Sequence, residues 1–232
     1  MSEPAPAMRL QVNRRLLDSR LGVPYLRQRA SMKPLLPTAE SDAFIDGFPR
    51  TANSYTFYAV KVANPDRVIH GHTHSSDAIR VALSQGTPTL VLIREPRGCV
   101  ASFVQFVPGL SPESALEHYR RFYGRLLPLA HRATIATFPE VTSDLAQVVQ
   151  RLNDDTGAGL VPYRATDSNE ASVSALLDHS NRRFAGGREG TSARPSAHRR
   201  SADDVLSGLS RRGLSLMDEC ADLYESVHAQ RR

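Results

Sequence analysis

Residues 43–55 read AFIDGFPRTANSY, and this stretch decides the fold. Its opening residues, Ala43–Asp46, predict a short buried strand. The strand breaks at Gly47–Pro49, and the pattern from about Asn53 to Val62 indicates a helix. A strand that passes through a short loop into a helix is the first half of a βαβ unit.

Strand and helix signals alternate through residues 43–157. The predicted strands are Ala43–Asp46, Val68–His74, Pro88–Arg94 and Ala133–Phe138, with helices over about 53–62, 77–85, 96–107, 111–131 and 142–157 between and after them. This alternation is typical of a three-layer α/β/α fold with a central parallel sheet. Ligands of such sheets bind at the carboxyl ends of the strands. The loops after Asp46, around His74 and after Ile93 are therefore the candidates for a site.

Short polar side chains mark where several of these helices begin. Ser76, Ser111 and either Thr142 or Ser143 are the expected N-caps, because their hydroxyl groups can accept from the first helical amides. Pro112 follows Ser111 at the first helical position, where proline is favoured.

The flanking segments are more polar than residues 43–157. Residues 1–41 are basic and contain several prolines, and we expect them to wrap the surface with one short helix around Leu10–Leu21. Residues 164–200 are polar and glycine-containing and predict a loop. A final helical region is expected from Ser201 to the C-terminus, interrupted at Gly213. The whole chain, 1–232, is predicted to be one domain.

Composition excludes several classes of function. The chain has 232 residues and a net charge of +5, and almost all of its positive charge is arginine. Arginine suits phosphate and sulfate, although genomic base composition explains the same bias. No basic run is interleaved with aromatic residues, so no nucleic-acid partner is expected. No apolar run approaches the ~18 residues of a membrane span.

The cysteine content and the N-terminal residues indicate the cellular compartment in which the protein is expected. Cys99 and Cys220 are too few for a disulfide framework and are expected to be buried thiols in a reducing compartment. Residues 1–20 are polar and arginine-rich and show no signal-peptide pattern. A cytoplasmic location is therefore expected.

The loop after the first strand resembles a phosphate-binding loop. Backbone amides at such a helix start, together with the helix dipole, bind phosphate. Against the nucleoside-triphosphatase pattern G-x-x-x-x-G-K-[ST], only Gly47 and Ser54 remain, because Ala52 and Asn53 replace the glycine and lysine. The cation is instead Arg50, earlier in the loop. A metal-assisted ATPase or kinase is thus disfavoured, and an ordinary β–α turn is the plain alternative.

The loop after the Leu90–Ile93 run carries a second anion-binding pattern. Arg94 ends the strand and can bind a phosphate with its guanidinium fork. Ser102 follows on the next helix and can donate to the same anion. The alternatives are an ion pair of Arg94 with Glu95 or Asp46, and a simple packing role for Ser102.

Together these two segments resemble the sulfotransferases that use 3′-phosphoadenylyl sulfate (PAPS). Residues 47–55 are similar to the family's 5′-phosphosulfate loop, and residues 92–102 are similar to its 3′-phosphate segment. The resemblance covers residues 43–157, which would be the nucleotide-binding core, and extends more weakly to residues 192–227. Two departures are Ala52, where the family has glycine, and Asn53, where it has threonine.

The resemblance implies a set of cofactor-binding residues. Arg94 and Ser102 would bind the 3′-phosphate, and Tyr55 would lie near the adenine unless it packs in the core. The 5′-phosphosulfate would be held by the loop residues Arg50, Thr51, Ala52, Asn53 and Ser54. Arg188 would fold over the 3′-phosphate, although a solvated arginine in a loop is the favoured alternative.

Three histidines recur at a spacing of two along residues 68–74. On an extended strand His70, His72 and His74 would share one face. A metal site is one interpretation, but adjacent positions on a straight strand cannot easily surround an ion. The segment also resembles the family's Lys-Thr-His. That resemblance implies that His74 is the general base and that His72 takes the place of the lysine. His70 is expected to pack or to orient its neighbours.

Five aromatic residues offer either an acceptor pocket or core packing. For Tyr119, Phe122 and Tyr123, the helical spacing i, i+3, i+4 favours core packing. The five residues are Phe103, Phe106, Tyr119, Phe122 and Tyr123.

The expected function is that of a PAPS-dependent sulfotransferase. The sulfuryl group would pass by in-line displacement to a hydroxyl, or less readily an amine, of a small-molecule or glycan acceptor. The product would be 3′-phosphoadenosine 5′-phosphate, and no metal would be required. A non-catalytic nucleotide-binding module on the same fold and a degenerate P-loop kinase are the alternatives. The acceptor and the oligomeric state stay open.

Overall fold

Four parallel strands form the centre of the molecule. The structure, a computed structural model, describes residues 15–185 and 200–231. The strands are β1 (Ala43–Gly47), β2 (Ile69–Gly71), β3 (Thr89–Ile93) and β4 (Thr134–Thr137). They are ordered β2-β1-β3-β4, and every pair is parallel. The predicted fold class, a three-layer α/β/α fold with a parallel sheet, is confirmed.

Helices connect the strands and cover both faces of the sheet. They are α1 (Gly22–Arg27), α2 (Asn53–Ala63), α3 (Ser76–Ser84), α4 (Pro96–Phe106), α5 (Pro112–Leu126), α6 (Phe138–Ser143), α7 (Leu145–Thr156), α8 (Asp167–Ala185), α9 (Ala202–Leu206) and α10 (Arg211–His228). Short 3₁₀ helices occupy Lys33–Leu35 and Leu127–Arg132. No helix in these two ranges of the chain is both long enough and apolar enough to cross a bilayer.

Side chains alternate between two hydrophobic cores, as the period of two of a strand requires. Phe44 and Val91 face one core, which helices α3, α4, α5 and α10 complete. Ile45 and Leu92 face the other core, against α2, α7 and α8. The sheet is therefore covered on both faces, which explains the continuous apolar run Leu90–Ile93 in β3.

An aromatic cluster packs around Phe48, at the start of the loop that joins β1 to α2. This loop is called the phosphate-like loop below. Phe48 is fully buried, and its ring centroid lies 5.3 Å from that of Phe103 and 5.2 Å from that of Tyr119. Phe122 and Tyr123 complete the cluster and are also buried. Core packing is thus the role of four of the five aromatic residues. Phe106 is the exception, since it is partly exposed and lies beneath the Arg50 guanidinium.

The prediction of a loop over residues 164–200 is wrong at Asp167–Ala185, which is helix α8. Residues 186–199 lie outside the described residues. Val173 and Leu177, one helical turn apart, pack in the core beside α2. The rest of the helix is mostly polar and solvent-facing, so its narrow apolar stripe gave only a weak periodic signal.

Several predicted helix boundaries are also corrected. Ser75 rather than Ser76 caps α3, and Asp144 rather than Thr142 or Ser143 caps α7. Gly213 does not interrupt the last helix. Its amide donates to the Ser210 hydroxyl that caps α10 (3.1 Å), and the break falls before that cap.

The segment before β1 contributes to the core instead of only wrapping the surface. Val23, Leu26 and Leu36 are buried against the sheet and its helices. The Val23 amide donates to the buried Asp77 carboxylate at 2.9 Å, which joins α1 to α3. Of the helix expected around Leu10–Leu21, the described part shows residues 15–17 in helical conformation.

Candidate active site

The loop between β1 and α2 is closely packed at its base and turns through a left-handed backbone. A Cβ added to Gly47 would lie 2.5 Å from the Leu92 carbonyl oxygen, so only glycine fits there. Arg50 and Ala52 have φ angles of 73° and 66°, which are unfavourable for residues other than glycine. The Thr51 hydroxyl donates to the Phe48 carbonyl at 2.8 Å.

Helix α2 begins without a side-chain cap. Its N-cap residue is Ala52, and no side chain accepts from the first helical amides. Those amides, on Asn53, Ser54 and Tyr55, cannot find partners inside the helix. The positive end of the helix dipole lies at the same place. The loop therefore offers donors and a favourable field to an anion such as a phosphate, and in this respect it fits a nucleotide.

Three of the predicted anion-binding side chains come together on one side of this loop. Arg50 Nε donates to Ser102 Oγ at 3.0 Å. Arg94 Nη1 donates to the Arg50 carbonyl at 3.1 Å. Although Arg94 and Ser102 are far from Arg50 in sequence, the parallel pairing of β1 and β3 brings the ends of both strands to one edge.

The alternative of an ion pair for Arg94 is not seen in the described part of the chain. The Glu95 carboxylate accepts instead from the Gly98 amide, at 2.9 and 3.0 Å, and so caps α4. Asp46 is bonded to other partners, as shown below. The Arg94 guanidinium lies 4.0 Å from the centroid of the Phe138 ring, which holds it by a cation–π contact.

The predicted strand Val68–His74 is wrong at its second half. β2 ends at Gly71, where a Cβ would lie 1.9 Å from the Ile45 carbonyl oxygen. His72 and His74 then have φ angles of 58° and 54°. Because these residues are not extended, the three imidazoles do not share the face of one strand. Within the described residues no cluster of three His, Cys, Asp or Glu side chains is arranged to hold a metal ion.

His74 lies directly beside the phosphate-like loop. Its Nδ1 is 2.9 Å from the Gly47 carbonyl oxygen. Asn53 Nδ2 also lies 3.3 Å from this nitrogen, but its two hydrogens have acceptors in Asp46 Oδ1 and the Gly47 carbonyl. Because a carbonyl only accepts, the contact with Gly47 favours the neutral tautomer with the hydrogen on Nδ1 and the lone pair on Nε2. This is the tautomer that a general base needs.

His72 lies next to His74, and the centroids of the two imidazole rings are 5.0 Å apart. Its Nε2 is 2.9 Å from the Ser54 hydroxyl oxygen. Burial, and next the His74 imidazole, lower the pKa of His72 to about 3, although the Asp46 carboxylate opposes the shift. His72 is therefore uncharged at neutral pH.

His70 is separated from the other two imidazoles. Its Nδ1 bonds to the Ser41 hydroxyl at 2.8 Å, and burial together with Lys61 lowers its pKa. This placement agrees with the supporting role expected for His70.

One buried carboxylate, which the sequence did not single out as a site residue, joins the two loops. Asp46 is fully buried at the end of β1 and accepts five hydrogen bonds, including bonds from Gly47, Asn53, Thr73 and His74. The sequence signal that could have identified Asp46 is its position as the charged residue near the end of an otherwise apolar strand. Because the Asn53 amide donates to Asp46 at 2.8 Å, this side chain points into the protein.

Tyr55 contacts the part of the chain that follows α7, where its ring meets that of Tyr163 edge to face. Its hydroxyl donates to Glu170 on α8 at 3.4 Å, and Tyr163 donates to the same carboxylate at 2.6 Å. Burial, followed by the charge of Glu170, raises the pKa of Tyr55. Arg188 lies outside the described residues.

Comparisons with known proteins give little beyond this geometry. No protein-family model matches the chain, and no curated protein matches it. Among solved structures, it is similar to the crystal structure of mouse sulfotransferase SULT7A1 complexed with PAP. That similarity has a TM-score of 0.45 and 11% identity, and it covers 84% of this chain and 90% of that chain. With a similarity this low, the function of the chain must be inferred from its own residues.

Proposed function

We propose that the chain is a sulfotransferase that uses PAPS and an acceptor hydroxyl. The observation that carries the proposal is the contact between His74 Nδ1 and the Gly47 carbonyl (2.9 Å). This contact supports His74 as the base, because the imidazole lies beside a loop whose helix amides have no side-chain cap. A base next to an anion site is what transfer of a charged group to a hydroxyl requires.

The residues divide into anchoring and chemical groups. Arg94 and Ser102 would bind the 3′-phosphate of the nucleotide, and Arg50 with the first amides of α2 would bind the 5′-phosphosulfate. Since the Thr51 and Asn53 side chains bond inward, these two residues would contribute their main-chain amides. Tyr55, next to Glu170, would lie near the adenine.

PAPS, when bound, supplies an activated sulfuryl group. His74 Nε2 would take the proton of the acceptor hydroxyl, whose oxygen would bond to the sulfur while the bond from sulfur to the leaving phosphate breaks. Arg50 and the loop amides would stabilise the charge on the transferred group and on that phosphate. We propose a small molecule or a glycan in the cytoplasm as the acceptor, with no metal in the reaction.

A melting-temperature screen tests the cofactor. The ligands are 3′-phosphoadenosine 5′-phosphate, ATP, and ATP with Mg²⁺. Specific binding stabilises the protein by about 2.7 kcal/mol at a hundredfold excess over Kd. We expect the bisphosphorylated nucleotide to raise the melting temperature most, without metal. A larger shift with ATP and Mg²⁺ would favour the kinase alternative.

A non-catalytic nucleotide-binding module is the second candidate, and the state of His72 favours it. An uncharged imidazole there removes the cation that the resembled family places beside its base. Incubation with PAPS and a panel of phenols, alcohols and sugars distinguishes the two. Formation of 3′-phosphoadenosine 5′-phosphate that depends on an acceptor supports the enzyme, whereas tight binding without turnover supports the module.

A further inference from the structure

We propose that Asp46 is a positioning residue that holds two loops in one fixed geometry. They are the phosphate-like loop and the segment after β2 that carries His72 and His74, called the histidine loop below. The effect expected on turnover rests on the proposed function, because the inference concerns how the His74 imidazole is positioned. Asp46 does not touch the substrate in this scheme. It acts through the main chain of the residues on either side of the site.

The five hydrogen bonds of Asp46 are shared between the two loops. Oδ1 accepts from the Gly47 amide (2.8 Å), from Asn53 Nδ2 (2.8 Å) and from the His74 amide (3.0 Å). Oδ2 accepts from the Thr73 amide (3.0 Å) and from the Thr73 hydroxyl (2.5 Å). One carboxylate thereby satisfies donors from β1, α2 and the segment after β2.

These bonds hold His74 at two points. Its main-chain amide donates to Asp46, and its ring bonds through Nδ1 to the carbonyl of Gly47, whose own amide donates to Asp46. The backbone of His74 is left-handed, with a φ of 54°. Such a conformation costs on the order of 1–3 kcal/mol and persists only where surrounding contacts enforce it. The bond from the His74 amide to Asp46 and the ring contact with Gly47 are two such contacts.

The chemistry of the five partners favours the ionised carboxylate. Burial raises the pKa of Asp46, while the bonds from Thr73, Gly47, Asn53 and His74 oppose that rise. Each main-chain and amide partner can only donate. An asparagine at this position would turn an N–H group toward some of these donors, and they would lose their acceptor.

The first experiment compares Asp46→Asn with Asp77→Asn. Asp77 is a matched control because it is also buried and also accepts from a main-chain amide, that of Val23, but it bonds to α1. We expect Asp46→Asn to lower kcat by about a hundredfold, as small misplacements of a catalytic group do. The dissociation constant of 3′-phosphoadenosine 5′-phosphate should rise by less than about tenfold. Asp77→Asn should leave kcat near that of the parent.

The second readout does not depend on turnover. The ¹⁵N chemical shifts of the His74 ring report which nitrogen carries the hydrogen. In the parent protein and in Asp77→Asn we expect the hydrogen on Nδ1, and in Asp46→Asn a mixture of both tautomers. If no acceptor is sulfated, the proposed function fails, but these shifts still decide the role of Asp46.

A milder pair of variants serves if Asp46→Asn does not fold. Thr73→Val removes the hydroxyl donor and keeps the shape of the side chain, whereas Thr73→Ser restores the hydroxyl. We expect Thr73→Val to lower kcat by about tenfold and Thr73→Ser to recover most of it. Parent-like kcat and a parent-like His74 tautomer in Asp46→Asn or in Thr73→Val would overturn the inference.

Discussion

Two helices begin at the carboxyl ends of neighbouring parallel strands, and their first turns differ. Helix α4, after β3, is capped by its own Glu95 carboxylate, which accepts from the Gly98 amide at 2.9 Å. Helix α2, after β1, has the left-handed Ala52 at its N-cap and no side-chain cap. Both helix dipoles point at the same edge of the sheet. One terminus has a side-chain acceptor within the protein, whereas the first amides of the other have none.

The comparison therefore assigns separate tasks to the two junctions. The β1–α2 junction, with His74 beside it, would hold the reacting group. The β3–α4 junction would contribute Arg94 as an anchor for the nucleotide. Variants at the two junctions should consequently differ in kind, with one affecting turnover and the other affecting affinity.

The largest expected effect is at His74. General-base catalysis contributes about 10²–10⁴-fold, so His74→Asn should lower kcat by that factor with cofactor binding nearly unchanged. Steady-state kinetics measured across a range of pH should also show the loss of the rise in rate that an imidazole base produces. His70→Asn is the matched control, since His70 bonds to Ser41 away from the loop. If His74→Asn retains turnover and His72→Asn loses it, His72 is the base and the assignment of His74 is wrong.

A smaller effect is expected at Arg94, on the capped side. Charge-assisted hydrogen bonds to phosphate contribute about 1.5–3 kcal/mol, so Arg94→Ala should weaken binding of 3′-phosphoadenosine 5′-phosphate by at least about tenfold. The preference over the nucleotide without the 3′-phosphate should shrink in calorimetric titrations. Arg97→Ala is the control, because Arg97 lies three residues further along, in the first turn of α4, and pairs with the exposed Asp203. An Arg94→Ala variant that discriminates the two nucleotides like the parent would show that Arg94 is structural.

The smallest effect concerns the uncapped helix itself. Ala52 has a φ of 66°, and the left-handed conformation costs a residue with a Cβ roughly 1–2 kcal/mol. Ala52→Gly should therefore increase the free energy of unfolding by about 1 kcal/mol, measured as a higher urea midpoint at constant slope. Ala59→Gly, inside the same helix, should instead decrease it by at least about 1 kcal/mol. Destabilisation by both substitutions would contradict the left-handed turn.

The order of the strands and helices followed from local patterns that tertiary contacts do not overrule. Leu90–Ile93 is a continuous apolar run, and a parallel strand buried on both faces needs that composition. Ser111 and Pro112 begin α5 as predicted, because capping acts within one turn. Helix α8 was missed because only a narrow stripe, including Val173 and Leu177, contacts the core.

The histidine loop shows where a period of two misleads. His70, His72 and His74 alternate as strand residues do, but Gly71 lies against the Ile45 carbonyl and ends β2. The backbone then turns left-handed at His72 and His74. The His72 amide donates to the Ile45 carbonyl, and the Thr73 and His74 amides donate to Asp46. These partners are far away in sequence, so no local pattern could predict the turns.

The sequence by itself determined the layered parallel sheet, the edge at which a site would lie, and most of the side chains present there. These features depend on hydrophobic periodicity and on the rule that strand ends gather at one edge of a parallel sheet. Only the tertiary structure decided that Arg50, Arg94 and Ser102 meet, that His72 is uncharged, and that Asp46 joins the two loops. The physical reason is that burial and hydrogen bonding depend on neighbours brought together by folding, which a single stretch of sequence does not specify.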